Sequence, residues 1–217
     1  MKKKILSKED LEEILTLQAL VYDRLEDKKI LETLCREEYE YILDGKGLIV
    51  GIHLQGELIA FRALLEPEIT ADHLGLYVGL SKDELSDVIY QEISIVHPEH
   101  RGKGLQKELG IEAMQHILEG TVNYKYICST VSPYNIASLK DKFSQQMRVK
   151  ALACVYADKL RYVFIKSLYS NSKDKRVHSE LIPLDNISKQ QEMINKDGWI
   201  GTDLIESAGN FYIKLIK

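Results

Sequence analysis

The chain of 217 residues is 45% hydrophobic and 29% charged, the balance of one large globular domain or of a domain with an appendage. Its formal net charge of −4 argues against nucleic acid as the main partner, although a local basic turn can still hold an anion. No window reaches the ~18 uninterrupted apolar residues of a membrane span, and the basic start Met1–Leu6 is broken by Ser7-Lys8-Glu9-Asp10 before a signal-peptide core can form. Cys35, Cys128 and Cys154 are far apart and form no C-x-x-C pair, so neither a disulfide framework nor a zinc cluster is expected. A reducing, cytoplasmic setting follows as the expectation. Cys128 and Cys154 sit in apolar runs and read as buried small hydrophobes.

Ser7 with Asp10 predicts a weak capping box opening a first helix. Leu11, Ile14, Leu15, Gln18, Leu20 and Val21 give that helix a mostly apolar face to about residue 23. A charged break, Asp23–Lys29, reads as solvated surface, and a second helix is expected from about Ile30 to Leu43. Residues 47–54 and 58–65, around Gln55-Gly56-Glu57, predict a β-hairpin that ends at Pro67. A short strand is expected within 73–80, then a loop or single helical turn at 81–84. His53 and His73 stand alone in the sequence and read as structural.

Val88–Val96 is an apolar run with the look of a buried strand, and it is followed by a short polar turn, His97–Gly104. Leu105, Leu109, Ile111, Met114 and Ile117 then recur at helical spacing. Strand, glycine-bearing basic turn and helix together suit an anion. The first helical turn presents backbone N–H groups at the positive end of the dipole, glycines allow close approach, and Arg101, Lys103 and Lys107 add charge. The plain alternative is an ordinary βα turn. The phosphate-loop pattern G-x-x-x-x-G-K-[ST] and the dinucleotide pattern G-x-G-x-x-G are both absent, because Gly102-Lys103-Gly104 continues as Leu105-Gln106-Lys107. Further on, Tyr126–Val131 reads as a buried strand, Ser132-Pro133-Tyr134-Asn135 as a turn, and Ile136–Gln145 as a helix. Val149–Tyr156 and Leu160–Ile165 predict a second hairpin.

The run Val96-His97-Pro98-Glu99-His100-Arg101-Gly102-Lys103-Gly104 resembles the acyl-CoA motif of the GNAT family of N-acetyltransferases, Gln/Arg-x-x-Gly-x-Gly/Ala after an apolar strand and a His/Asp-Pro-Glu step. Arg101 and Gly104 match, while Gln106 replaces the last small residue. The resemblance covers roughly residues 3–168. It implies an α/β fold: a mixed, mostly antiparallel central sheet, splayed at strands 88–96 and 126–131, with helices on both faces. It also implies acetyl-CoA as co-substrate without a metal. Ile95, Val96 and His97 would offer backbone groups to the pantetheine amides, and Arg101, Gly102, Lys103, Gly104, Leu105, Gln106 and Lys107 would hold the diphosphate. Asn135 would contact CoA, or simply cap its helix, and both roles are compatible.

Acyl transfer to an amine needs a base for the ammonium and an acid for the leaving thiolate. Glu92, a carboxylate in an apolar strand where many relatives carry one, is the candidate base; a structural salt bridge is the alternative. The family's Leu-Tyr-Glu-x-x-Gly-Phe run is absent, and Lys142 stands where its tyrosine would fall seven residues after Asn135. Tyr134 is the candidate acid in its place. Two functional readings result: an N-acetyltransferase acting on a primary amine of a small molecule or protein, or a non-catalytic acyl-CoA-binding module. Neither implies nucleic acid or membrane as partner, and a homodimer is open. The expected organisation is a GNAT domain over 1–168, a linker or surface loop over 169–177, and a small α/β appendage over 178–217. The appendage packs either on the same sheet or at a subunit contact.

Overall fold

The computed structural model describes residues 1–120, 122–156, 158–169 and 178–217. The linker expected over 169–177 therefore lies, from residue 170 on, outside the described residues. In chain order the elements are β1 (Lys2–Ile5), α1 (Leu11–Asp23), α2 (Arg36–Leu43), β2 (Gly47–Leu54), β3 (Glu57–Leu65), α3 (Leu74–Tyr77), β4 (Val88–Val96), α4 (Leu105–Glu119) and β5 (Tyr126–Val131). Then come α5 (Ile136–Ser144), β6 (Arg148–Val155), β7 (Lys159–Ser167), β8 (Ser179–Pro183), α6 (Ile187–Gln191) running on as a π-helical turn (Glu192–Lys196), β9 (Ile200–Ser207) and β10 (Asn210–Ile216). Among the described residues no helix is long and apolar enough to cross a membrane. The chain divides into two compact units, Met1–Glu68 with Ile89–Tyr124, and Ile69–Val88 with Lys125–Lys217.

The first unit is an antiparallel run β1-β2-β3-β4. Its β2–β3 hairpin turns at Gln55 (φ +53°) and Gly56 (φ +93°), both left-handed, as the twist-matched two-residue turn requires. β1 has no counterpart in the sequence reading, because Lys2-Lys3-Lys4 does not look like a strand. Lysines on an outer strand are how sheets discourage edge-to-edge pairing. α1 follows the expected box, which opens the 3₁₀ turn Lys8–Asp10 ahead of it with the Ser7 N–H donating to the Asp10 carboxylate at 2.8 Å. It buries Leu11, Ile14, Leu17 and Val21 against Tyr39 and Ile42 of α2 and against Ile49, Phe61, Ala63, Ile93 and Ile95 of the strands. Full burial of one such aliphatic side chain is worth ~1.5–3 kcal/mol.

The second helix is shorter than expected, Arg36–Leu43. The Gln18 carboxamide captures both backbone groups of Leu34, accepting from its N–H at 3.0 Å and donating to its C=O at 2.9 Å. That grip competes with helix formation, and the Cys35 N–H then bonds Glu38 at 2.6 Å to start α2. α4 also departs from the expected stripe. Leu105, Leu109, Gly110 and Ala113 are buried, and α4 packs over β2 and β3 with its small residues inward, while Ile111 is exposed.

The second unit is an antiparallel run β5-β7-β6-β9-β10-β8. The strand expected in 73–80 is instead α3, because the His73 Nδ1 accepts the Gly75 N–H at 3.1 Å as a cap. Cys128 is buried, which pushes its thiol up to about 12. Cys154 is exposed, against the expectation that it packs inside. α5 ends in a Schellman turn: Gln146 N–H to Phe143 O at 2.9 Å and Met147 N–H to Lys142 O at 3.2 Å, with Gln146 at φ +61° in the place glycine usually takes.

The tail continues the second unit's sheet. β9 meets β6 at Gly201 and Val149, where a Cβ on residue 201 would stand 2.9 Å from the Val149 Cβ. Farther along β6, the Asn195 carboxamide takes the place of a neighbouring strand, accepting from the Leu152 N–H at 3.0 Å and donating to its C=O at 2.9 Å. The fully buried Gln190 donates to Pro183 O (2.7 Å) and Leu184 O (3.0 Å) and accepts from the Tyr162 hydroxyl.

Candidate functional site

The glycine turn lies wholly within the first unit. β4 ends at Val96, and the His97 N–H donates to Ile59 O, within β3, at 2.8 Å. His97 then caps a single 3₁₀ turn that starts with Pro98, its Nδ1 accepting from the Glu99 N–H at 3.3 Å. Gly102 (φ +75°) and Gly104 (φ +76°) are both left-handed, and Gly104 is the N-cap residue of the 15-residue α4. An L side chain at these angles is strained, so glycine is favoured here by conformation. Neither glycine has a heavy atom within 4 Å of where a Cβ would stand. Left-handed residues ahead of a helix turn successive N–H groups to one side, forming a concavity that suits an anion. Open space on that side is what phosphate oxygens would need. Arg101, Lys103 and Lys107 are exposed around it, and Lys103 Nζ lies 3.0 Å from His100 Nδ1.

Glu92 sits in the same unit, on β4. Ala63 pairs with Ile93 and Leu64 with Gln91, so the register passes over Glu92, the extra residue of a β-bulge. A bulge re-aims side chains. Ahead of it the buried Gln91 meets Arg62, whose Nη1 donates to Gln91 Oε1 at 3.2 Å. Past it, Ile93 and Ile95 enter the core under α1 and α2. Glu92 itself is half-buried near Tyr39. Burial first, then the charges of Glu38 and Glu92, hold the Tyr39 phenol well above its ordinary range, so it stays a neutral donor to Gln18 Oε1 at 2.6 Å.

Backbone supply from β4 is narrower than expected. The His97–Ile59 bond fixes the alternation of the ladder, so Ile95 and His97 both turn their backbone groups to β3. Of the three residues expected to serve pantetheine, only Val96 points its N–H and C=O toward the strand's other edge.

Tyr134 and Asn135 belong to the second unit. Asn135 caps α5, its Oδ1 accepting from the Ser138 N–H at 3.0 Å. Tyr134 is exposed, with its N–H on the Ser132 Oγ at 3.3 Å. Lys142, at the position where the resemblance places a tyrosine, is buried with its Nζ 3.5 Å from Asp141 Oδ2. His53, which looks isolated in sequence, comes together with Glu13 (3.2 Å) and Asp10. Asp10, however, already holds Lys4 at 2.6 Å and caps at Ser7. No sequence signal announces this grouping, since its members come from α1, its cap and β2.

No protein-family model and no curated protein matches the sequence. Solved structures do match in fold. A putative acetyltransferase from Salmonella typhimurium, solved with its cofactor acetyl-CoA, superposes at TM-score 0.59 with 14% identity, over 81% of this chain and 98% of that one. A GNAT-family acetyltransferase from Streptococcus pneumoniae gives TM-score 0.57 at 13% identity, over 76% and 98%. A diaminobutyrate acetyltransferase from Paenibacillus lautus, in complex with L-2,4-diaminobutyric acid and coenzyme A, gives 0.53 at 12%, over 80% and 98%. The class is thus an α/β protein with a mostly antiparallel sheet and a glycine turn between strand and helix. More particularly, the chain has the fold of the GNAT acetyltransferases.

Proposed function

We propose that the chain is an N-acyltransferase that moves an acetyl group from acetyl-CoA to a primary amine. The observation that carries this reading is the pair of left-handed glycines, open on their Cβ side, at the start of the helix that follows β4. That geometry fits a diphosphate, and neighbours of the same fold were solved with acetyl-CoA or coenzyme A. In this reading the N–H groups of Gly102–Lys107, with the charges of Arg101, Lys103 and Lys107, hold the diphosphate. Val96 offers N–H and C=O to the pantetheine arm.

Glu92, set off from its ladder by the bulge, takes a proton from the acceptor ammonium directly or through water. The freed amine attacks the thioester carbon; the C–N bond forms, the C–S bond breaks, and the leaving thiolate takes up a proton. Tyr134 and Asn135 remain the second unit's candidates for the thiolate proton and for a CoA contact. A small amine is supported as acceptor by the diaminobutyric acid complex of a neighbour.

The buried Lys142 favours a second reading, an acyl-CoA-binding module without turnover. Calorimetric titration with acetyl-CoA, followed by thiol release over a panel of primary amines, separates the two. An enzyme binds and releases thiol with at least one amine, leaving an acetylated product detectable by mass. A binding module gives heat without thiol. Absence of binding overturns both.

A further inference from the structure

We infer that Arg62 is a positioning residue for the anion cradle, fixing the first turn of α4 from beneath; the inference rests on the acyl-CoA reading above. Arg62 lies on β3 and is fully buried. Its guanidinium reaches two elements at once, Nη1 donating to Gln91 Oε1 at 3.2 Å and Nη2 to Gln106 O at 3.1 Å. Gln91 is the residue of β4 immediately before the bulge at Glu92. Gln106 is the second residue of α4, inside the turn whose N–H groups form the cradle.

A single rigid fork thus ties the strand bearing the candidate base to the backbone that would bear the phosphates. Burying a guanidinium is costly where an apolar side chain would fill the same space, but its planar fork can hold two acceptors at fixed positions. Two consequences follow. The N–H array is held in register with β4 to the sub-ångström tolerance that anion recognition needs. A positive charge also sits on the protein side of that turn, reinforcing the dipole of α4.

The test uses the full chain and two variants, Arg62→Met, which keeps the length without the fork, and Arg62→Lys, which keeps the charge. The readouts are the CoA dissociation constant, the KM for acetyl-CoA, and turnover of S-acetylpantetheine, which has the same thioester but no diphosphate. Arg62→Met is expected to weaken CoA binding and raise the KM for acetyl-CoA by ~10-fold or more, the scale of one lost charge-assisted hydrogen bond. Turnover of S-acetylpantetheine should stay within ~2-fold of wild type. Arg62→Lys should recover part of the loss.

Parallel loss with both donors would make Arg62 merely structural and overturn the inference, as would no loss with either. If Arg62→Met does not fold by circular dichroism, Arg62→Lys carries the same comparison: loss confined to acetyl-CoA supports the inference, and parallel loss or no loss overturns it. Wild-type binding of inorganic pyrophosphate without binding of CoA would overturn the acyl-CoA reading alone. Arg62 would then be judged on pyrophosphate, where an unchanged dissociation constant in Arg62→Met overturns the inference and a ~10-fold loss supports it. Wild type that binds neither ligand overturns both.

Discussion

Gly104→Ala separates the conformational role of the turn from its binding role. Residue 104 sits at φ +76°, and nothing lies within 4 Å of the position of the added methyl. The folded state therefore takes on only the left-handed strain of an L residue, about 1–2 kcal/mol. For a chain of this size that lowers Tm by about 2–8 °C. The binding cost is separate. The methyl stands in the open space beside the helix N-terminus, where phosphate oxygens would approach, and displacing one charge-assisted contact costs ~1.5–3 kcal/mol, or ~10-fold to ~150-fold in Kd for CoA. Gly45→Ala is the matched control, since Gly45 has φ +93°, equally open surroundings, and a place after α2 away from the turn. Thermal melts and CoA titrations on both variants should show similar losses in Tm, with CoA affinity lost only in Gly104→Ala. Equal affinities in the two variants would refute the cradle.

Three other substitutions test the framework. Gln146→Gly relieves the left-handed strain at the end of α5 and should raise stability by about 1 kcal/mol in chemical denaturation. Gly201→Val should destabilise by about 1–3 kcal/mol and expose the tail to proteolysis, because its Cβ already falls 2.9 Å from Val149 and 3.0 Å from Ile213. Burial pushes the Asp10 carboxyl up, but hydrogen bonds from Lys4 and Ser7 outweigh it and hold the group below its ordinary value. Its contribution to stability is therefore present above pH ~4 and lost as pH falls further. Asp10→Asn should lower stability at neutral pH and flatten the acid limb of the stability curve, its difference from wild type shrinking as pH falls below ~4.

The β4–turn–α4 unit is legible in the sequence because three signals coincide there: an apolar run, glycines flanking a basic residue, and a switch to helical spacing. The β2–β3 hairpin is legible from Gln55-Gly56 in the same way. What escapes depends on contacts that no local pattern reports. Residues 31–35 look helical until the Gln18 carboxamide takes the backbone of Leu34. Residues 73–80 look like a strand until His73 caps α3. Ile111 fits a helical stripe, but Gly110 and Ala113 allow α4 to lie closer to the sheet on another face.

The site shows the same division. Glu92 and the glycines are visible as residue types at suggestive positions. The bulge that skips Glu92 is not, because it is a property of register with β3. That register also corrects the backbone supply, turning Ile95 and His97 toward β3 and leaving Val96 alone aimed the other way. Arg62 gives no signal at all, since its role comes from Gln91 and Gln106, far from it in the chain.

Whether Glu92 is the base for an acetyl-CoA-dependent transfer is read from thiol release by wild type and Glu92→Gln, with an amine that wild type acetylates. Glu92→Gln is expected to lose ~10²-fold to 10⁴-fold in kcat while CoA affinity stays within ~2-fold. Glu92→Gln turning over at the wild-type rate, or losing CoA affinity in proportion to rate, would contradict that role.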